Sequence, residues 1–131
     1  MTTKAGYVTN IEHDTLANED YRRVIFTGRN TQLVLMTLRP GDEIGREVHE
    51  GHDQFIRVEA GRGVAVLAGK EHALSDGVAV VVPAGVEHNV INTSADSPLR
   101  LYTLYSPPEH PDGTVHRTKR DEPEEHPPAS G

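Results

Sequence analysis

The sequence predicts an all-β protein built as a barrel or a sandwich, on the strength of two observations. Short runs rich in valine, isoleucine, leucine and threonine recur along the chain up to residue 105. Clusters of glycine, proline, asparagine, aspartate and serine separate these runs, as the turns between strands require. The runs that we expect to form strands are 23–27, 32–38, 43–48, 54–59, 63–67, 78–82, 89–92 and 99–105.

The segment from Gly77 to Asn92 combines a strand, a turn and a candidate metal ligand. Residues 78–82 are all apolar, as expected of a strand. The sequence Pro83-Ala84-Gly85 ends that strand, because proline has no N–H for the ladder and glycine tolerates a positive φ. We therefore expect a hairpin that places the imidazole of His88 near its bend.

Residues 77–92 follow the spacing Gly-x5-Pro-x-Gly-x2-His-x3-Asn and so resemble the second sequence motif of the cupin family at every fixed position. The first cupin motif, Gly-x5-His-x-His-x4-Glu-x6-Gly, aligns with residues 41–61 and matches at both glycines. With one copy of each motif, the chain resembles a small single-domain cupin of the type-2, mannose-6-phosphate-isomerase-like group. The resemblance implies a single cupin β-barrel (double-stranded β-helix or jelly roll) over residues 21–105, with an N-terminal arm, 1–20, and a tail, 106–131.

The same resemblance implies a metal site formed by Glu47, His49, Gln54 and His88. Glu47 and His49 are two residues apart, so their side chains share one face of an extended strand. Cupins usually supply three histidines and one glutamate, whereas here Glu47 replaces the first histidine and Gln54 replaces the glutamate. Both sets contain a single carboxylate, so the charge around a divalent cation is the same. We expect a divalent metal ion (Fe, Mn, Ni, Co or Zn) and a catalytic role for Glu47 in proton transfer.

Two alternatives to this ligand set remain open. His52 follows His49 by three residues and could turn inward as a substitute imidazole, although a solvated turn histidine is the simpler expectation. His49 and Gln54 could also be hydrogen-bonded inside the barrel mouth without any metal. The chain contains no cysteine, so any metal must be held by nitrogen and oxygen ligands.

Composition excludes several classes of partner. The net charge is −7 and no basic stripe is present, which argues against binding to nucleic acid. No apolar run reaches the length of a membrane helix, and the N-terminus leads into no apolar signal region, so we expect no membrane partner and a cytoplasmic protein. The tail from residue 106 holds six of the nine prolines and no aromatic residue, which predicts a largely extended or disordered segment. Its extended part could lie across the barrel or across a neighbouring subunit, and we expect disorder from about Arg117 onward.

Three classes of function fit the sequence. A small barrel that encloses a metal favours a small-molecule substrate or ligand. Phe26, Met36, Tyr102 and Tyr105 could line its pocket, although a place in the core is the stronger expectation for each. The chain could be a metalloenzyme of the isomerase or dioxygenase type that acts on a small oxygenated molecule. It could also be a non-catalytic ligand or metal binder, or a dimeric scaffold. We expect a homodimer, from the cupin resemblance and the need to cover open sheet edges.

Overall fold

The computed structural model describes residues 5–122, and nearly all of its regular structure is antiparallel β-sheet. The all-β prediction is therefore confirmed. The elements in chain order are α1 (Ile11–Ala17), β1 (Arg22–Thr27), β2 (Gln32–Leu38), β3 (Asp53–Ala60), β4 (Gly63–Leu67), β5 (Lys70–Leu74), β6 (Ala79–Val82), β7 (His88–Ile91), β8 (Leu99–Ser106), β9 (Val115–His116) and a 3₁₀ helix (Lys119–Asp121).

The strands form two sheets that share one hydrophobic core. The larger sheet has the order β6-β3-β8-β2-β1-β9, and the smaller one has the order β5-β4-β7. Buried side chains alternate along the central strands, as in β8, where Leu99, Leu101, Thr103 and Tyr105 point inward. The core cluster contains residues of both sheets, for example Val34 and Ile56 from the larger and Ala65 and Val90 from the smaller. The inner faces of the two sheets thus pack together in one apolar core.

The predicted strand over residues 43–48 is not formed. Only two isolated bridges occur there, Glu43 to Ile91 and Glu47 to His88. Gly45 lies between them with φ +108°, a conformation that interrupts a strand, and its N–H donates to the Asn89 side chain at 2.8 Å. The segment is therefore bent, and the bend still leaves Glu47 opposite His88.

Two elements between residues 5 and 74 were not predicted. Strand β5 pairs with β4 through a tight turn at Ala68 and Gly69, both of positive φ, but most of its residues are exposed and polar, so no apolar alternation marks it. Helix α1 has only seven residues and is capped at its N-terminus by Asn10, whose side chain accepts a hydrogen bond from the His13 N–H. It lies within the segment predicted as an N-terminal arm.

The segment after β8 lies against the barrel, which is one of the positions expected of an extended tail. Residues 117–122, where we expected disorder, include the 3₁₀ helix. Strand β9 pairs with β1, and the ammonium of Lys119 donates to the Ile44 carbonyl at 2.6 Å. Arg22 and Glu122 form an ion pair of 2.7 Å in which the Arg22 side chain is only 2% exposed. Polar contacts order this segment despite its few apolar residues, and residues 123–131 of the predicted tail lie outside the described range.

Within residues 5–122, no helix combines the length and the apolar composition that a membrane crossing needs.

Candidate metal centre

Three of the four predicted ligands come together at the polar end of the barrel. The side chains of Glu47, His49 and His88 each offer one ligand atom, and these atoms all lie within 4.8 Å of one another. Glu47 Oε1 is 3.2 Å from His49 Nε2 and 3.9 Å from His88 Nε2. A carboxylate oxygen and two imidazole nitrogens that converge in this way form a donor set suited to a first-row divalent cation.

The backbone explains why the two motifs meet here. Glu47 and His88 exchange both of their backbone hydrogen bonds, at 2.9 Å each. The Gly85 N–H donates to the His49 carbonyl, also at 2.9 Å, so the turn after β6 fixes the loop that contains His49. Gly85 has φ +86°, which a residue with a Cβ would adopt only under strain. The proline and glycine of the second motif thus position a ligand of the first.

His88 is oriented for a bond through Nε2. Its Nδ1 lies 2.9 Å from the carbonyl oxygen of Val86, and because a carbonyl only accepts, Nδ1 bears the proton. Nε2 therefore has a free lone pair. The side chain is 4% exposed, and this nitrogen is buried with no hydrogen-bond partner in the described part of the chain. A second hydrogen bond that fixes the tautomer in this way is the usual companion of a metal-bound histidine.

Gln54, the fourth predicted ligand, is buried on β3 with an exposed fraction of 3%. Its amide nitrogen donates to the Thr103 hydroxyl at 3.0 Å. Its amide oxygen is buried and has no partner among residues 5–122. Leaving a buried acceptor unpaired costs roughly 1–3 kcal/mol, so a water molecule or a cation would stabilise Gln54 Oε1 and His88 Nε2.

The electrostatics of His49 reflect the neighbouring carboxylates. Burial alone would lower its pKa, but the hydrogen bond and charge of Glu47, together with the charge of Glu109, raise it above its usual value. Nε2 of His49 faces Glu47, and Nδ1 lies 3.7 Å from Glu109 Oε2. The ring is therefore held between one carboxylate inside the cluster and one outside it.

The described part of the tail, residues 106–122, is called the tail segment from here on. It is bonded to the barrel beside this cluster by Gln32, a fully buried side chain of β2. The amide oxygen of Gln32 accepts from the backbone N–H groups of Glu109 and His110 at 3.1 and 3.0 Å. Its amide nitrogen donates to the His110 carbonyl at 2.7 Å. Strand β2 therefore holds the tail backbone by three hydrogen bonds at Glu109 and His110, where the Glu109 side chain approaches His49.

His52 lies outside the cluster. Its Nδ1 is 2.6 Å from the Pro107 carbonyl oxygen, and its Nε2 is 3.0 Å from Glu109 Oε1. Both ring nitrogens of His52 thus contact residues of the tail segment. His52 is therefore not positioned to replace one of the metal ligands.

The four predicted pocket residues take different places. Tyr105 is buried, and its ring meets the His49 ring edge to face with centroids 5.8 Å apart. Met36 belongs to the apolar core. Tyr102 contacts Phe55 on the other face of the large sheet, and Phe26 stacks on Tyr7 at 5.4 Å. Only Tyr105 lies beside the candidate metal centre.

Sequence reasoning did not single out Tyr21, Arg22, Gln32, Glu109 or His110. Arg22 could have been found from strand alternation, because it shares the inward face of β1 with Val24. Glu109 and His110 lie in a proline-rich segment for which a position across the barrel was one expectation, but no motif in that segment points to either residue.

Comparisons with known proteins identify the family of this fold. The family model described as "Cupin domain" matches residues 34–105, more than half of the 131-residue chain. The uncharacterized protein YrkC of Bacillus subtilis is 46% identical to this chain over 121 residues. The match covers 88% of this chain and 64% of YrkC, so this chain spans less than two thirds of the length of YrkC. The uncharacterized protein L612 of Acanthamoeba polyphaga mimivirus is 47% identical over 113 residues, or 83% and 70% of the two chains.

Solved structures show the same fold. A protein from Bacillus halodurans superposes with a TM-score of 0.85 at 42% identity and covers 92% of this chain and 97% of its own. The KdgF protein from Halomonas superposes with a TM-score of 0.65 at 26% identity, with 81% and 96% covered. With both motifs, the double-sheet barrel and the family match in agreement, the chain belongs to the cupin family.

Proposed function

We propose that this cupin binds one divalent metal ion through Glu47, His49 and His88, with the amide oxygen of Gln54 as a fourth ligand. The observation that supports this most directly is the pair of buried, unpartnered lone pairs on His88 Nε2 and Gln54 Oε1. His88 Nε2 also belongs to the group of ligand atoms from Glu47, His49 and His88 that lie within 4.8 Å of one another. Four donors leave positions open on an ion that accepts five or six ligands, so a small oxygenated molecule could bind there as well.

A bound divalent cation supplies Lewis-acid polarisation of an oxygen atom on such a molecule. Glu47 is the residue that we propose to hold or move a proton, because its side chain is 24% exposed and reaches both the cluster and the solvent side. The amide nitrogen of Gln54 donates to Thr103, which leaves the amide oxygen without a partner among residues 5–122 and free to bind the ion. The buried Tyr105 ring packs beside His49. The reaction class that we propose is that of a metal-dependent isomerase or dioxygenase.

Metal content tests the first part of this proposal. Protein purified without chelators or a metal-affinity tag is analysed by mass spectrometry for Fe, Mn, Ni, Co and Zn, alongside His88→Ala and Glu47→Ala. His72→Ala, on the exposed strand β5, is the matched control. We expect about one metal per chain in the wild type and the control, and a loss in the two site variants. Equal metal content in all four proteins, or none in the wild type, would contradict the proposal.

Two further expectations remain proposals. Pairing of two chains would cover the edge strand β6, where Val81 is 64% exposed. Light scattering on the full chain tests the homodimer, and a mass near 14.4 kDa would rule it out. A cytoplasmic location is tested by cell fractionation.

A further inference from the structure

The segment that carries Glu47 contains one residue more than the stretch of β7 that it faces. Glu43 lies opposite Ile91, and Glu47 lies opposite His88. Four steps along the segment therefore match three steps along β7. Such an insertion is a β-bulge, which changes the face to which the following side chains point. Without it, regular pairing from Glu43 onward would place Arg46 opposite His88.

The bulge therefore decides which side chain reaches the candidate metal centre. Residues that lie opposite each other in an antiparallel pair point to the same face, and the His88 side chain is buried. Glu47 shares this face, with Oε1 3.9 Å from His88 Nε2. The Arg46 side chain is 79% exposed and lies 3.6 Å from the Glu87 carboxylate. A register without the bulge would turn a guanidinium inward in place of the carboxylate.

Two side chains from other parts of the chain bind the backbone at the bulge. The amide oxygen of Asn89 accepts from the Gly45 N–H at 2.8 Å. The ammonium of Lys119 donates to the carbonyl of the buried Ile44 at 2.6 Å, and it also donates to Glu122 at 2.8 Å. A buried backbone group that loses its partner is costly, so removal of either side chain would favour a rearrangement of the bulge.

We propose that Lys119 and Asn89 are positioning residues, which hold the bulge and thereby keep Glu47 turned toward the metal. This inference rests on the proposed metal function and extends it to the tail segment, to which Lys119 belongs. The charge of Lys119 alone would repel a cation. Any contribution of Lys119 to metal affinity must therefore come through the backbone of the bulge.

The first test measures the Mn²⁺ affinity of the full chain and the absorption spectrum of its Co²⁺ form. Lys119→Met and Asn89→Ala should weaken Mn²⁺ binding about tenfold, and their Co²⁺ spectra should shift toward that of Glu47→Gln. Loss of the Lys119 charge without a change in the backbone would instead strengthen cation binding. Lys119→Arg, which keeps the charge and can donate to the same carbonyl, should retain wild-type affinity.

Amide hydrogen exchange of the metal-free chain tests the same inference without the ion. Glu47 and His88 exchange both backbone hydrogen bonds at 2.9 Å, so their amides report the register. Both amides should exchange about tenfold faster in Lys119→Met and Asn89→Ala. Thr37→Val, which removes a buried hydrogen bond to the Asn18 carbonyl, controls for a general loss of stability and should change neither exchange nor Mn²⁺ affinity.

The two measurements together separate this inference from the proposed function. If the wild type binds Mn²⁺, then wild-type affinity or wild-type amide exchange in Lys119→Met and Asn89→Ala would overturn the inference alone. Effects of the same size in Thr37→Val would overturn it as well. A wild type that binds neither Mn²⁺ nor Co²⁺ would overturn the metal function. In that case, faster exchange at Glu47 and His88 in the two variants would support the positioning of Glu47, and unchanged exchange would overturn it.

Discussion

Replacement of Gln32 by leucine should release the tail segment from the barrel. Gln32 is fully buried and makes four hydrogen bonds, one to the Thr27 hydroxyl and three to backbone groups of Glu109 and His110. At about 1 kcal/mol each, the three tail bonds contribute about 3 kcal/mol. Leucine has a similar volume but no polar group. It would leave two N–H groups and one carbonyl unpaired against an apolar surface.

The tail can recover these bonds with water by detaching, so we expect local opening before global unfolding. A loss of about 3 kcal/mol corresponds to about 100-fold faster hydrogen exchange, at 1.4 kcal/mol for each factor of ten. The amides to follow are those of Glu109, His110 and Thr114, measured by exchange and NMR. Thr114 N–H donates to the Pro111 carbonyl at 3.3 Å, so it reports the tail beyond the direct contact.

Thr37→Val is the matched control, because it removes a buried polar contact far from the tail. The Thr37 hydroxyl donates to the Asn18 carbonyl at 2.7 Å and accepts from the Asn18 amide at 3.1 Å. This variant should loosen the N-terminal segment and leave exchange at Glu109 and His110 unchanged. Unchanged exchange at Glu109 and His110 in Gln32→Leu, or equal acceleration in both variants, would refute the idea that Gln32 holds the tail over the site.

Three further predictions concern the tail, a ligand and a turn. Burial, with the charges of Arg22 and His116, lowers the pKa of His110 from 6.5 to about 3, so the unfolded chain takes up this proton at higher pH than the folded one. The contribution of His110 to the free energy of unfolding should therefore be constant above about pH 6.5 and fall by at most about 1.4 kcal/mol per pH unit below it. Urea unfolding at pH 7 and pH 4.5 should show that His110→Asn loses less stability at the lower pH than the wild type does. Glu109→Gln should weaken metal affinity about tenfold in a metal titration, because the carboxylate orients a ligand ring from outside; an unchanged affinity would contradict this role. Gly61→Ala should destabilise the protein by about 2 kcal/mol more than Gly69→Ala in thermal unfolding. Both glycines have a positive φ, but only at Gly61 would a Cβ lie 2.5 Å from a backbone carbonyl oxygen. Equal losses of stability in the two variants would argue against the clash.

The fold was predictable because glycine and proline mark nearly every turn between apolar runs. Seven of the eight predicted strands agree with observed ones to within a residue at each end. The failures have local causes. Residues 43–48 bend at Gly45, and the polar strand β5 is defined by its pairing to β4 and has no pattern of its own. Strand β9 exists only because it pairs with β1, more than ninety residues away in the chain.

The candidate ligands were predictable from the resemblance because each motif fixes ligand spacing together with turn chemistry. The structure brings Glu47, His49 and His88 together and buries Gln54 on β3. The surroundings were not predictable. Arg22 and Glu109 reach this interior through long-range pairing and side-chain hydrogen bonds of the tail, and no spacing rule in the sequence encodes either.

If the proposed function is right, one divalent metal ion sits among Glu47, His49, Gln54 and His88. An anomalous-scattering map from crystals of the full chain loaded with Mn²⁺ locates the ion. We expect one strong peak bounded by Glu47 Oε1, the Nε2 atoms of His49 and His88, and Gln54 Oε1. A map with no peak at this position, or with its main peak elsewhere on the chain, would show that these residues do not hold the metal.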